Sequence, residues 1–232
     1  VSYKDKQLNT VYDETAATKI QLSDSGIQVS DSGAVVQGNT VTITKAGTYI
    51  ISGSVSDGQV IVDSSEEGYV WLVLDNVSIT SQNSSAIYVK SADNTLITLP
   101  EGTKNEVTDG KDYVFEEEET SLNAAIYSKD DLFINGTGSL TVTGNYNHGI
   151  QSKDDLVIIS GNITVHSAGD GIVGKDSVVI REAVITVEAG GDGIKSTNAV
   201  QDKGYIYLDN PNITITAAND GIQAETCMVI ED

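Results

Sequence analysis

The second half of the chain is written in short apolar triplets. Leu132-Phe133-Ile134 is echoed by Leu156-Val157-Ile158, Val178-Val179-Ile180 and Met228-Val229-Ile230. A second series runs Leu140-Thr141-Val142, Ile163-Thr164-Val165, Ile185-Thr186-Val187 and Ile213-Thr214-Ile215. Apolar, any, apolar is the period-two pattern of a strand with one buried face, and the β-branched threonines favour it. A third phrase precedes each pair: His148-Gly149-Ile150, Asp170-Gly171-Ile172, Asp192-Gly193-Ile194 and Asp220-Gly221-Ile222, with a looser Ala125-Ile126 upstream. The isoleucines stand at 126, 150, 172, 194 and 222, so the steps are 24, 22, 22 and 28 residues. A repeat of that length made of strands is a coiled stack, in which each copy covers the core of its neighbour. No window carries a sustained 3.6-residue pattern, which predicts the absence of long helices.

The predicted fold is all-β: a right-handed parallel β-helix with about 22–24 residues per rung, whose strands pair with their equivalents about 4.8 Å above and below. Gly and Asn between the triplets, as in Asn135-Gly136 and Gly161-Asn162, suit its corners. Less regular strand patterns (Val41–Thr44, Val60–Val62, Val70–Leu74, Val77–Ile79, Ala86–Lys90) extend the coil toward the N-terminus. We therefore expect one domain over 1–232. About 1–55 hold a cap and irregular first rungs, with 20–55 closing the lower end. An acidic insertion spans 109–123, and its Glu116-Glu117-Glu118-Glu119 run is expected to be a solvated, mobile loop. The chain stops at Asp232 partway through a rung, which leaves the upper end without an evident cap.

Composition narrows the function. Lys+Arg 13 against Asp+Glu 34 gives a net charge of −21, which excludes a generic nucleic-acid or anionic-membrane binder. One cysteine, Cys227, rules out a disulfide framework and suits a small buried strand side chain. No stretch is apolar enough to span a membrane. A secreted or cell-surface protein is expected, monomeric or attached to the surface.

Stacking turns the repeat into columns. With the isoleucines pointing in, Gln151, Val173, Lys195 and Gln223 point out, and Ser152, Gly174, Ser196 and Ala224 point back in. Lys129, Lys153 and Lys175 form one outer line, and Asp130, Asp154 and Asp176 another. His148, Asp170, Asp192 and Asp220 form a third. Carboxylates stacked at rung spacing repel one another. Three arrangements relieve this: lysines between them, a bridging Ca²⁺ supplemented by neutral oxygens such as Asn219, or turn geometry in which each Asp only caps backbone amides. The candidate calcium ligands are Asp154, Asp170, Asp176, Asp192, Asn219 and Asp220. The candidate sugar contacts are Lys153, Lys175 and Lys195, with Tyr88 and Tyr127 as exposed rings on the same outward track as Lys195. Those rings could equally pack on the sheet.

Several of these phrases resemble a known family. They include Asn123-Ala124-Ala125-Ile126-Tyr127-Ser128-Lys129-Asp130-Asp131-Leu132, Asn145-Tyr146-Asn147-His148-Gly149, Ser152-Lys153-Asp154-Asp155-Leu156, Gly174-Lys175-Asp176-Ser177-Val178 and Asp202-Lys203-Gly204-Tyr205. With Gly47-Thr48-Tyr49-Ile50-Ile51-Ser52-Gly53 and Asp57-Gly58-Gln59-Val60, the likeness covers nearly the whole chain. It is to clostridial secreted carbohydrate-binding proteins with a polysaccharide-lyase-like parallel β-helix. The resemblance implies binding of cellulose and acidic polysaccharides such as polygalacturonate, with calcium held on the helix surface. More distantly, Gly169-Asp170-Gly171-Ile172-Val173-Gly174-Lys175 is similar to a phrase of the calcium-dependent pectate lyases of polysaccharide lyase family nine. Where those enzymes carry acids, Asn219 and Gln223 stand here.

Three functions compete. The first is a calcium-assisted binder of plant cell-wall polysaccharide that does not cleave it. The second is a calcium-dependent lyase acting by β-elimination, for which only Lys175 or Lys195 is placed to be the base. The third is a structural adhesin whose calcium only stabilises the coil.

Overall fold

The computed structural model describes residues 1, 3–115 and 121–231, so the Glu116–Glu119 run lies outside the described residues. Strand pairing closes the chain into a right-handed parallel β-solenoid of about 24 residues per turn. It has three faces. Face I stacks Thr40–Ile43, Gln59–Asp63, Ile87–Ser91, Ala124–Ser128, His148–Ser152, Ile172–Gly174, Ile194–Ser196 and Ile222–Gln223. Face II carries Asn94–Leu99, Leu132–Gly136, Asp155–Ile158, Ser177–Arg181, Tyr205–Asp209 and Met228–Glu231. Face III carries Lys104–Thr108, Ser139–Gly144, Asn162–Ser167, Val184–Ala189 and Asn212–Ala217. The long strand Tyr69–Thr80 bends from face II into face III, pairing through its first half with Asn94–Leu99 and through its second half with Lys104–Thr108.

The register is the predicted one. Ile126, Ile150, Ile172, Ile194 and Ile222 are mutual partners, and all but the last are fully buried. Inward Leu132, Leu156 and Val178 on face II and Leu140 and Ile163 on face III complete each layer with no exposed surface. Burying such a side chain is worth about 1.5–3 kcal/mol, so each rung rests on several of these columns. The glycine of the Asp-Gly-Ile phrase is fixed by space. A Cβ on Gly171 would lie 2.4 Å from Cγ1 of Val187 and 2.5 Å from the carbonyl oxygen of Gly193. The corner can be this tight only without a side chain.

Two features were not anticipated. Face II is apolar on its outer side as well, where Trp71, Val73, Leu96, Phe133, Val157, Ile159 and Val179 form a second buried cluster. The segment from Tyr3 to Tyr12, with the four-residue helix Asp5–Leu8, lies over this cluster rather than closing the end of the coil. Lys6 sits over the Trp71 ring at 3.8 Å, Tyr12 meets Trp71 edge-on at 5.9 Å, and Asn135 Nδ2 donates to the carbonyls of Gln7 (2.8 Å) and Asn9 (3.0 Å). At the lower end, Gln28–Val29 pairs antiparallel with Thr18–Leu22, itself a parallel neighbour of Gly47–Val55, and Ala34–Gln37 pairs antiparallel with Thr40–Ile43. Cys227, expected in a buried strand, is exposed beside the last strand.

Candidate functional site

The columns of the repeat settle at the two edges of face I. At the corner entering it, His148, Asp170, Asp192 and Asp220 form a hydrogen-bonded ladder. The Asp170 amide donates to His148 Nδ1 at 3.1 Å, the Asp192 amide to Asp170 Oδ1 at 2.8 Å, and the Asp220 amide to Asp192 Oδ1 at 3.0 Å. Asp170 and Asp192 therefore each cap the rung that follows. The outer oxygens are taken by Lys195, whose Nζ lies 2.7 Å from Asp192 Oδ2 and 3.7 Å from Asp170 Oδ2. Burial pushes the Asp192 carboxyl up, but the bond from Lys195 and the amide of Asp220 outweigh it and hold it below the usual range. The same bond to Asp192 raises Lys195. Burial, against the pull of Asp170, lowers His148 and favours the neutral ring that accepts the Asp170 amide.

At the corner leaving face I stand Asp154 and Asp176. Asp176 accepts from Lys203 Nζ and Asn198 Nδ2, and these bonds overcome burial to hold its carboxyl low. Asp154 has no such partner among the described residues. Burial and then Asp176 and Asp130 raise its pKa. The candidate calcium ligands thus fall into two groups at opposite ends of the face I strands. Asn219 sits with Asp220 at the exposed upper rung. Among the described residues no three His, Cys, Asp or Glu side chains gather as a metal site. In the Asp170–Asp192 ladder three of the four carboxylate oxygens already receive an amide or the Lys195 ammonium group, so a calcium ion there would compete with these bonds.

Between the two corners lies the outward track. Tyr88 and Tyr127, expected to be exposed, are buried at 5% and 0% exposure. The reason is the insertion. Tyr113, Phe115 and Leu122, from its described parts, pack over the two tyrosines, whose rings lie 6.0 Å apart. Neither ring is open to stack on a sugar. The insertion is anchored by Asp109, which takes the Tyr113 hydroxyl at 2.6 Å and the Asn145 amide at 2.5 Å. Burial raises the Asp109 carboxyl to about 6 in spite of these bonds.

Above the insertion the track is open at its edges. Gln151 and Val173 face outward yet are 6% and 2% exposed, so they form the floor of a shallow trough. Gln151 Oε1 is buried with no hydrogen-bond partner. Lys153, over the Tyr127 ring at 5.8 Å, and exposed Lys175 stand on adjacent rungs along one edge. Burial and then the charge of Lys175 lower the Lys153 pKa. Neither lysine forms an ion pair among the described residues.

Lys203, Gln151 and Tyr146 were not among the candidate site residues. Lys203 lies in the extra residues of the 28-residue step, so the longer spacing was its signal. Tyr146, stacked on Tyr113 at 4.1 Å and 38% exposed, precedes the His-Gly phrase. Gln151 carried no signal, since an unpartnered amide oxygen is visible only in three dimensions.

Residues 37–232, most of the chain, match the model of a family described as carbohydrate-binding domain-containing protein. The chain belongs to this family. The carbohydrate-binding chain is also 47% identical over 134 residues to a carbohydrate-binding domain-containing protein of Acetivibrio thermocellus. That match covers 57% of this chain and 47% of the relative, so the carbohydrate-binding chain spans about half the length of the curated relative it matches. Its fold is similar to that of the polysaccharide lyase-like protein from C. thermocellum, solved as a gadolinium derivative. The TM-score is 0.86 at 35% identity, and the superposition covers 93% of this chain and 97% of that one. The carbohydrate-binding chain is thus a β-helix related to the polysaccharide-lyase-like fold. Among its described residues, no helix is long and apolar enough to cross a membrane.

Proposed function

We propose that this carbohydrate-binding β-helix holds an acidic polysaccharide of the polygalacturonate type in the trough on face I and does not cleave it. One observation carries the reading. In a chain of net charge −21, Lys153 and Lys175 stand close enough to repel and form no ion pair among the described residues. Two neighbouring ammonium groups without a close ion pair offer a site for an anion, and a uronate carboxylate suits the space between them. Tyr146, 38% exposed, offers a ring at the opposite corner. The polymer's size places the encounter at the cell surface or beyond it.

Lys195, one of the two candidate bases, supports the non-cleaving reading. A β-elimination base must be deprotonated near neutral pH, and the bond to Asp192 moves Lys195 away from that state. Calcium at the Asp170–Asp192 ladder would have to compete with Lys195 for the carboxylates.

Calorimetric titration with hexagalacturonate tests the proposal. The expected result is saturable binding that weakens with added salt, at least tenfold weaker in Lys153→Ala/Lys175→Ala, with no rise in ultraviolet absorbance from unsaturated product. Unchanged affinity in the double variant, or steady product formation, overturns it.

A further inference from the structure

Face I carries a second concave surface, on the other side of the insertion from the lysine trough. Two clefts of about 350 and 310 Å³ share Gln59, Asn83 and Ser84 as lining, so they form one continuous groove. Each lies within the roughly 300–1,000 Å³ range of small-molecule sites. The groove runs along the coil. Thr40 pairs with Gln59, and Thr42, Ile61 and Tyr88 are partners on three successive rungs. Its repeat is therefore the strand spacing of about 4.8 Å, close to the length of one pyranose residue in an extended chain.

The lining is unlike that of the trough. Its polar groups are amides and hydroxyls, and many make no hydrogen bond among the described residues. The side chains of Thr40, Thr42 and Asn83 donate and accept none. Gln59 is set in place by giving its Nε2 hydrogens to Ser84 Oγ (3.0 Å) and the Ser85 carbonyl (2.7 Å), which leaves its Oε1 uncommitted. Ile61, Val114 and Leu122 supply an apolar floor and wall. The charged groups are Asp57, Asp63 and Lys90, and Lys90 is paired with Asp63 at 2.9 Å. The balance is acidic and repels a uronate. Uncommitted amides and hydroxyls over an apolar floor, at sugar spacing and with negative charge at the rim, match a neutral glycan.

We infer that the groove formed by Thr40, Thr42, Gln59, Ile61, Asn83 and Ser84 is a second saccharide site, which takes a neutral pyranose chain lying along the coil axis, one residue per rung. It goes beyond the acidic-glycan reading and uses none of the same residues. The chain thereby presents two binding surfaces of opposite charge preference on one face, divided by the docked insertion.

The test titrates the whole chain with cellohexaose, mannohexaose and xylohexaose as neutral probes, and with hexagalacturonate as the acidic one. At least one neutral hexaose is expected to bind. Thr42→Ala/Asn83→Ala should weaken it at least fivefold, and Thr42→Trp, which fills the groove, should abolish it. Both variants should leave hexagalacturonate binding and the thermal melt unchanged. Lys153→Ala/Lys175→Ala should do the reverse. The inference is overturned if no neutral hexaose binds, or if one binds equally well to the groove variants. Loss of hexagalacturonate binding alone counts against the trough and leaves the groove standing.

Discussion

Replacing Lys195 with methionine tests how the acidic ladder is neutralised. The change keeps the length and apolar stem of the side chain and removes its charge. Asp170 and Asp192 then face each other across adjacent rungs with their amide caps intact but no counter-ion. At a separation of about 4.8 Å and an effective dielectric of about 20, two unit charges repel by about 3.5 kcal/mol. Solvent relaxation at the partly exposed Asp170 reduces this, so the variant should be less stable at pH 7 by about 1–3 kcal/mol. The loss should depend on pH in a defined direction. In the wild type the folded Asp192 carboxyl lies below its unfolded value. Its contribution is present above the unfolded value and is lost only as pH falls through the lower folded one. In the variant the mutual repulsion raises the folded carboxyls, so acid relieves the strain, and the gap to wild type should shrink to under about 1 kcal/mol near pH 4. Urea denaturation at pH 4, 5.5 and 7 measures this directly. Because the vacated oxygens are then open, millimolar calcium should stabilise the variant more than the wild type. A deficit that is constant across pH, or smaller than about 0.5 kcal/mol at pH 7, would show that Lys195 is not the counter-ion of the ladder.

Asp109→Asn should raise stability at pH 8 relative to pH 5 when compared with the wild type. The Asp109 carboxyl lies at about 6 when folded, so in the wild type that group's contribution falls by about 1.4 kcal/mol between pH 5 and 8; denaturant melts at both values read the difference, and parallel curves for the two proteins would refute it. Gly171→Ala should cost about 1–3 kcal/mol by forcing a methyl group against Val187 and the Gly193 carbonyl, an effect absent from Gly221→Ala, where a Cβ meets nothing within 4 Å. Asn135→Ala removes the amide that ties the N-terminal segment to face II, and should cost about 1–3 kcal/mol while speeding proteolysis within the first 13 residues; unchanged cleavage kinetics would refute the strap.

The sequence by itself determined the coil. Its triplets and the spacing of Ile126, Ile150, Ile172, Ile194 and Ile222 encode the inward columns, because a side-chain period of two leaves one register that buries every isoleucine. It also placed the Asp, Lys and Gly columns on their rungs, since each repeat lies directly over the last. What it could not decide was which outward residues remain exposed. Tyr88 and Tyr127 lie on the outward track, and their burial depends on an insertion folding back across a different face from the one it leaves. The outer side of face II carries Phe133, Val157 and Val179, and only the folded chain brings the first residues over them. Nor could it assign partners. Lys195 and Lys203 reach carboxylates 3, 25 and 27 residues away, and that choice depends on side-chain reach around a corner. Periodicity fixes which way a side chain points. Tertiary packing decides what, if anything, lies in front of it, and so left Lys153 and Lys175 as neighbouring lysines that form no ion pair among the described residues.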